Sequence, residues 1–268
     1  MLSGGGIKGI AHVGAMKALD DLEYLKNIEI IAGSSVGALI ATLYMIGFSP
    51  DEMFGFLKGF DFDKMKSVNL TNFLDKYGFD NGIKLEYTLK RLFNAKKVDP
   101  NITFAELYKK TNKTLIIVAT CLNDKKSYYF SHETEPDMPV IIALRMSSCI
   151  PVYFTPIIYK DMIYIDGGCI DNYPIHLFRA RLNEVIGIYL VDTHNTVTTI
   201  DNIEEFLIQV VQCLMEGVTF NSTKGFDQFT VKIELDNISI MDLGIDINLK
   251  LKMFQSGYQK MIDFFKFK

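Results

Sequence analysis

No basic tract runs through this sequence, no Cys-x-x-Cys pair occurs in it, and no apolar run is long enough to cross a bilayer. Each absence excludes something. Lys and Arg number 28 against 32 Asp and Glu, a formal net charge of −4. The electrostatic footprint of a nucleic-acid-binding chain is therefore missing. The 4 cysteines, Cys121, Cys149, Cys169 and Cys213, lie far apart. They fit free thiols in a reducing compartment better than a disulfide framework or a zinc site. The longest apolar run, 36–48, is too short for a transmembrane helix. The opening Met1-Leu2-Ser3-Gly4 lacks the charged and apolar regions of a secretory signal. A cytoplasmic location is expected, with any membrane contact peripheral. Repeats, low-complexity tracts and linkers are absent too, so residues 1–268 read as one domain.

What is present is a globular composition, with 49% hydrophobic residues and 22% charged ones, enough to fill a core. One stretch organises the chain. The run Ile28-Glu29-Ile30-Ile31-Ala32 leads into Gly33-Ser34-Ser35-Val36-Gly37, and a helix-forming run follows at once. Strand, tight turn and helix are the context of a nucleophile elbow. Gly33 and Gly37 leave room for strand and helix to approach. The turn lifts the Ser35 hydroxyl above the sheet, beside a helix N-terminus whose free N–H groups suit a developing oxyanion.

Upstream, Met1-Leu2-Ser3 is a strand stub that enters Gly4-Gly5-Gly6-Ile7-Lys8-Gly9, and a helix follows with Ile10, Val13, Met16, Ala18 and Leu19 on its apolar side. Strand, glycine loop, helix and elbow strand make a βαβ crossover with parallel strands. Downstream, Ser49-Pro50-Asp51-Glu52 and Thr103-Phe104-Ala105-Glu106 are helix starts of the capping-box type. Residues 61–82 read as a long loop or cap, and a helix is expected from Ile83. A buried strand runs from Leu115 to Cys121, with an edge strand pairing back after a turn at 123–126. A short helix covers 140–148. A hairpin turning at Lys160-Asp161 delivers Asp166-Gly167-Gly168 at a strand end. Strands are expected again at 184–192 and 229–234, and helices at 203–217 and 249–265. Alternating strands and helices imply an α/β fold, and the hairpins make its sheet mixed.

The loop 4–9 matches Gly-x-Gly-x-x-Gly, which suggests a dinucleotide site. The second strand argues against a nucleotide, because it ends in Gly33-Ser34-Ser35 instead of an acid that would hold a ribose. In a βαβ unit the glycine loop and the elbow lie at the carboxyl ends of neighbouring strands. The loop then borders the Ser35 hydroxyl and supplies oxyanion N–H groups. Asp166 can reach Ser35 as general base. Of the histidines His12, His132, His176 and His194, only His194 follows a strand end, where a Ser-Asp-His triad would need one. The elbow comes too early in the chain for an α/β-hydrolase. His12 is expected to pack or hydrogen-bond in the first helix. Lys8 is expected either to meet a lipid phosphate or to stand solvated near the helix start.

At these residues the sequence resembles the patatin-like phospholipases. Leu2 to Gly9 with Ala11-His12-Val13-Gly14 resembles the family's oxyanion block, and Gly33 to Gly37 its nucleophile block. Arg145, Ser147, Pro151, Phe154 and Pro156 fall at the spacing of a third block. Asp166-Gly167-Gly168 with Asn172 and Pro174 resembles the catalytic Asp block. Ser3, in place of the Asp of plant patatins, resembles the bacterial-type branch. The resemblance implies a three-layer α/β/α fold around a mixed, mostly parallel sheet. It also implies a Ser35–Asp166 dyad without histidine and an oxyanion hole at Gly4, Gly5 and Gly6. Lys8, Gly9, Gly33, Gly37, Gly167 and Gly168 would support the motifs, and Arg145 and Ser147 the site. The implied substrates are acyl lipids, and the implied chemistry needs no metal or cofactor. One further expectation concerns residues 53–66. Met53, Phe54, Phe56, Leu57 and Phe60, interleaved with Lys58, Lys64 and Lys66, suit either a membrane-docking face or packing under the 61–82 loop.

Overall fold

A strand whose residues are buried without alternation has both faces covered. Residues 31–34 and 117–121 are buried in this way, so the central strands lie between two layers of helices. The computed structural model describes residues 1–65, 67–193, 199–219, 222–236 and 244–266. In chain order the helices and strands are α1 (Gly9–Asp21), β1 (Ile30–Ser34), α2 (Val36–Met45), α3 (Pro50–Gly59), α4 (Leu70–Lys76), β2 (Gly78–Asp80), α5 (Ile83–Ala95), α6 (Phe104–Thr111), β3 (Thr114–Cys121), β4 (Lys126–Phe130), α7 (Val140–Ser147), β5 (Val152–Phe154), β6 (Ile157–Tyr159), β7 (Met162–Asp166), β8 (Gly187–Thr193), α8 (Ile203–Thr219), β9 (Thr230–Asp236) and α9 (Ile247–Lys266).

The parallel part of the sheet runs β9–β8, then Leu2, then β1–β3. Leu2 alone stands for the first strand. Its N–H donates to Ala32 O at 2.9 Å and its carbonyl accepts from Ser34 N at 3.3 Å, while Ser3 N donates to Ile188 O at 3.0 Å. The antiparallel part is β4, β7 and β6. The fold is mixed α/β, as the alternating pattern implies, in the α/β/α layering that the family resemblance implies.

The two capping boxes form as expected. Ser49 accepts from Glu52 N and Thr103 from Glu106 N, with each Glu side chain returning to the cap N–H. Residues 61–82, expected as a loop, instead fold into a short turn of helix at Phe62–Met65, α4 and β2. β2 is three residues long and pairs with β5, too short to display an alternation. α4 exposes Leu70 and Leu74, so it carries no buried apolar stripe that a periodicity could reveal.

The apolar residues of 53–66 are packed, chiefly against α9 and only through Phe62 against the 61–82 segment. Met53 is buried, Phe54 stacks on Phe254 of α9 with centroids 4.0 Å apart, and Phe60 sits against Phe56 and Phe62. Lys250 of α9 donates to the Phe60 carbonyl. Lys66 lies outside the described residues.

Candidate active site

β3 is the rail on which the site is assembled. Residues 117–121 pair with β4 along one edge. The other edge pairs with β1 up to Ser34↔Val118, then with β7 from Asp166↔Ala119. β1 runs parallel to β3 and β7 antiparallel to it, so their carboxyl ends meet head-on at 118–119. The residue after β1 is Ser35, and the last residue of β7 is Asp166. A separation of 131 positions in the chain thus closes to one hydrogen bond, Ser35 Oγ donating to Asp166 Oδ2 at 2.7 Å.

Ser35 has φ 50° and ψ −124°, a region that a side chain occupies only when its surroundings enforce it. Three constraints do so. Leu2 fixes the end of β1, α2 begins at the next residue, and Ser35 N donates to Ser147 Oγ of α7 at 2.8 Å. Gly33 and Gly37 permit the crowding. A Cβ added at Gly37 would lie 2.5 Å from the carbonyl oxygens of Leu2 and Ser3.

Asp166 is 1% exposed. Its second oxygen accepts from Gly168 N at 2.7 Å, and its own N–H donates to Cys149 O at 2.8 Å. Burial pushes its carboxyl from 3.8 up to about 7, against the pull of the Ser35 and Gly168 hydrogen bonds. A carboxylate poised near neutrality and bonded to a serine hydroxyl has the attributes of a general base. Both of its oxygens already have partners.

The glycine loop borders this pair. Gly4, Gly5 and Gly6 line the same cavity as Ser35 and Asp166, with a volume of about 450 Å³. Gly4 N–H is already engaged, donating to the side-chain Oδ1 of Asn172 at 3.1 Å and to its backbone carbonyl at 3.3 Å. Gly5, at φ 155°, and Gly6, at φ 54°, precede the first bond of the following turn, Lys8 N to Gly5 O. Ser3 anchors the loop from below, its hydroxyl donating to Gly4 O and accepting from Leu190 N. His12 is buried at 0% exposure, its Nε2 lies 2.8 Å from Ser3 O, and burial lowers its pKa to about 4. The ring is therefore neutral with the proton on Nε2, a support of the loop as expected for a packed helix residue. Lys8 is 1% exposed and lines the cavity, so it is not the solvated residue that its place near a helix start suggests.

His176 faces Asp171 and Tyr129, and His132 stacks on Tyr108. His194 lies outside the described residues. Among the described residues, no histidine hydrogen-bonds to Asp166, and no cluster of His, Cys, Asp and Glu forms a metal site. Arg145 is buried and donates to Asn81 O at 3.1 Å, fastening the segment before α5 to α7. The far wall of the cavity is α8, through Gln212, Met215, Glu216 and Thr219. Sequence reasoning did not place this wall. The signal it offers is Gln212, Glu216 and Thr219, spaced four and three apart along α8.

A family model for patatin-like phospholipases matches residues 1–179. The chain belongs to this family. Among its relatives, an uncharacterized protein of Acanthamoeba polyphaga mimivirus, R571, is 32% identical over 97% of this chain and 91% of its own length. A probable lipid hydrolase of Invertebrate iridescent virus 6, 463L, is 35% identical over 66% of this chain and 61% of its own. Of solved structures, VipD from Legionella pneumophila superposes with a TM-score of 0.70 at 16% identity, covering 99% of this chain and 66% of VipD. The type III effector ExoU gives 0.58 at 16% identity, over 99% of this chain and 52% of ExoU. At that identity the likeness is one of patatin-like fold. The chain spans only half to two thirds of these two structures.

Proposed function

We propose that residues 1–268 form one catalytic unit, a serine lipid acyl hydrolase of the phospholipase A or lysophospholipase type. The observation that carries this reading is the 2.7 Å bond from Ser35 Oγ to Asp166 Oδ2 at a strained elbow. Ser35 Oγ attacks the ester carbonyl while its proton passes to Asp166 Oδ2. The new C–O bond raises an oxyanion, held by the N–H groups of Gly5 and Gly6, since Gly4 gives its own to Asn172. Collapse breaks the ester C–O bond, and the proton leaves with the alcohol. Water then attacks the acyl-enzyme, gives its proton to Asp166, and releases the fatty acid as Ser35 recovers its hydrogen. Nothing in this sequence of steps requires a histidine or a nucleotide.

Relatives named as a probable lipid hydrolase and as an intracellular phospholipase A2 of Caenorhabditis elegans support the acyl-lipid class. None of the described helices is long and apolar enough to cross a membrane, and we place the enzyme peripherally on a lipid surface. The test is fatty-acid release from a panel of phospholipid, lysophospholipid, galactolipid and triacylglycerol esters. At least one should be turned over by the wild type and not by Ser35→Ala. Release that persists in Ser35→Ala would refute the assignment.

A further inference from the structure

The helix that walls the cavity is amphipathic the wrong way round. Ile203, Phe206, Val210, Leu214 and Val218 of α8 recur at intervals of three and four, so they share one face, and all five are exposed, from 41% to 66%. Gln212, Met215, Glu216 and Thr219 recur at the same intervals on the opposite face and line the cavity. A surface helix ordinarily turns its apolar stripe inward. Here an apolar stripe faces out, while Gln212, Glu216 and Thr219 face the site together with Met215.

A second exposed apolar cluster lies beyond α8. Val68, Leu70, Leu74 and Tyr77, with Ile83 and Tyr87 of α5, are 50–71% exposed. β2 follows α4 and pairs with β5, and β5 packs against α8. The two clusters therefore flank one short ladder. With Ile200, they hold 12 of the 20 large apolar side chains exposed among the described residues, a concentration that marks an interaction surface. Just before β5, Ile150 lines the cavity, so the surface reaches its rim.

We infer that this surface, α8 with the 68–87 segment, docks on a lipid bilayer of neutral, zwitterionic headgroups and feeds its acyl chains to the cavity behind α8. The assignment rests on the acyl-hydrolase reading above and adds where the lipid surface sits and which charge it carries. Charge selects the occupant. α8 contains Glu204, Glu205 and Glu216 and no Lys or Arg, and in 68–87, where Asp80 is buried, Asp75 and Glu86 balance Lys76 and Lys84. Such a surface gains nothing from anionic headgroups. Its apolar residues supply the binding. A bilayer seated there lies about one helix diameter, roughly 10 Å, from the cavity.

The experiment uses full-length Ser35→Ala protein, so that binding is read without hydrolysis and independently of the dyad. Phosphatidylcholine vesicles should co-sediment it, and neither added phosphatidylserine nor about 0.5 M salt, where screening is nearly complete, should alter the affinity by more than about twofold. Adding Phe206→Ser and Leu214→Ser should weaken binding by about 100-fold, roughly tenfold for each side chain withdrawn, with an unchanged melting temperature. Leu74→Ser with Tyr77→Ser on the second cluster reads the same surface should the α8 pair fail to fold. Three outcomes overturn the inference: equal vesicle binding by the folded variants, binding that needs anionic lipid and vanishes in salt, or a lipid-free dimer abolished by the α8 substitutions, which would make a second copy the occupant.

Discussion

Asp166→Asn should cost at least ~10²-fold in kcat, the scale of a lost general base, and should also make the protein harder to unfold above pH 7. Both effects have one cause. Burial holds the Asp166 proton up to about 7, against 3.8 in its ordinary setting. Between those values the native state binds more protons than the unfolded chain, so stability falls as pH rises through the window. The ionised, buried carboxylate is thus a standing cost of the site. At about 1.4 kcal/mol for each tenfold change, it is bounded by roughly 4 kcal/mol. Asn at position 166 removes it. Its advantage in melting temperature should be absent below pH 4, grow from 4 to 7, and reach several degrees above that. The wild-type kcat/KM should rise with an apparent pKa near 7 as the base is freed. Calorimetry of both proteins from pH 4 to 9 checks the sign. An Asn variant less stable than wild type at pH 8 would show that the carboxylate is a structural anchor and not a strained base.

The second large effect is expected at Gly33. A Cβ there would lie 2.5 Å from Ala38 N and 2.6 Å from Gly37 O, and both are backbone atoms that cannot rotate away. Gly33→Ala must push β1 and α2 apart and carry Ser35 with them. Overpacking of this kind costs about 3 kcal/mol, or on the order of 6–12 °C in melting temperature for a chain of this size. Activity should fall at least ~10²-fold, because the nucleophile leaves hydrogen-bond reach of its base. Gly55→Ala in α3 is the control. Nothing lies within 4 Å of a Cβ at Gly55, and replacing a mid-helix glycine by alanine is stabilising by about 0.5–1 kcal/mol. Thermal melts of the two variants side by side decide the matter. Equal melting temperatures would remove the close approach from the account of the elbow.

Where function leaves local marks, the sequence was readable. The elbow needs Gly33, Ser35 and Gly37 within five positions, and the capping boxes need Ser49 with Glu52 and Thr103 with Glu106. The hairpin that ends in Asp166 announces itself by its turn. The meeting of Ser35 with Asp166 is long-range and was reached from strand ends and family resemblance. The physical reason, two strands abutting on one edge of β3, appears only in the register. The strand stub at Met1-Leu2-Ser3 was read from its place before the glycine loop, and Leu2 bears it out by bridging Gly33 and Ile188. Two features left little or no local mark. Asn172 takes the Gly4 N–H across 168 positions, a partner that no local pattern announces. β2 and β5 are three residues each, below the length at which alternation can be read. α8 is a different case. Its helix was read at 203–217, but an apolar period gives a face without saying which way it turns.

The central claim is that Ser35, activated by Asp166, is the group that takes the acyl chain. Treating the native protein with a fluorophosphonate, which phosphorylates an activated serine, and mapping the adduct by peptide mass spectrometry tests it most directly. The expected result is one adduct, on Ser35, absent in Ser35→Ala and strongly slowed in Asp166→Asn. An adduct on Ser34 or elsewhere, or an unlabelled protein that still hydrolyses esters, would contradict it.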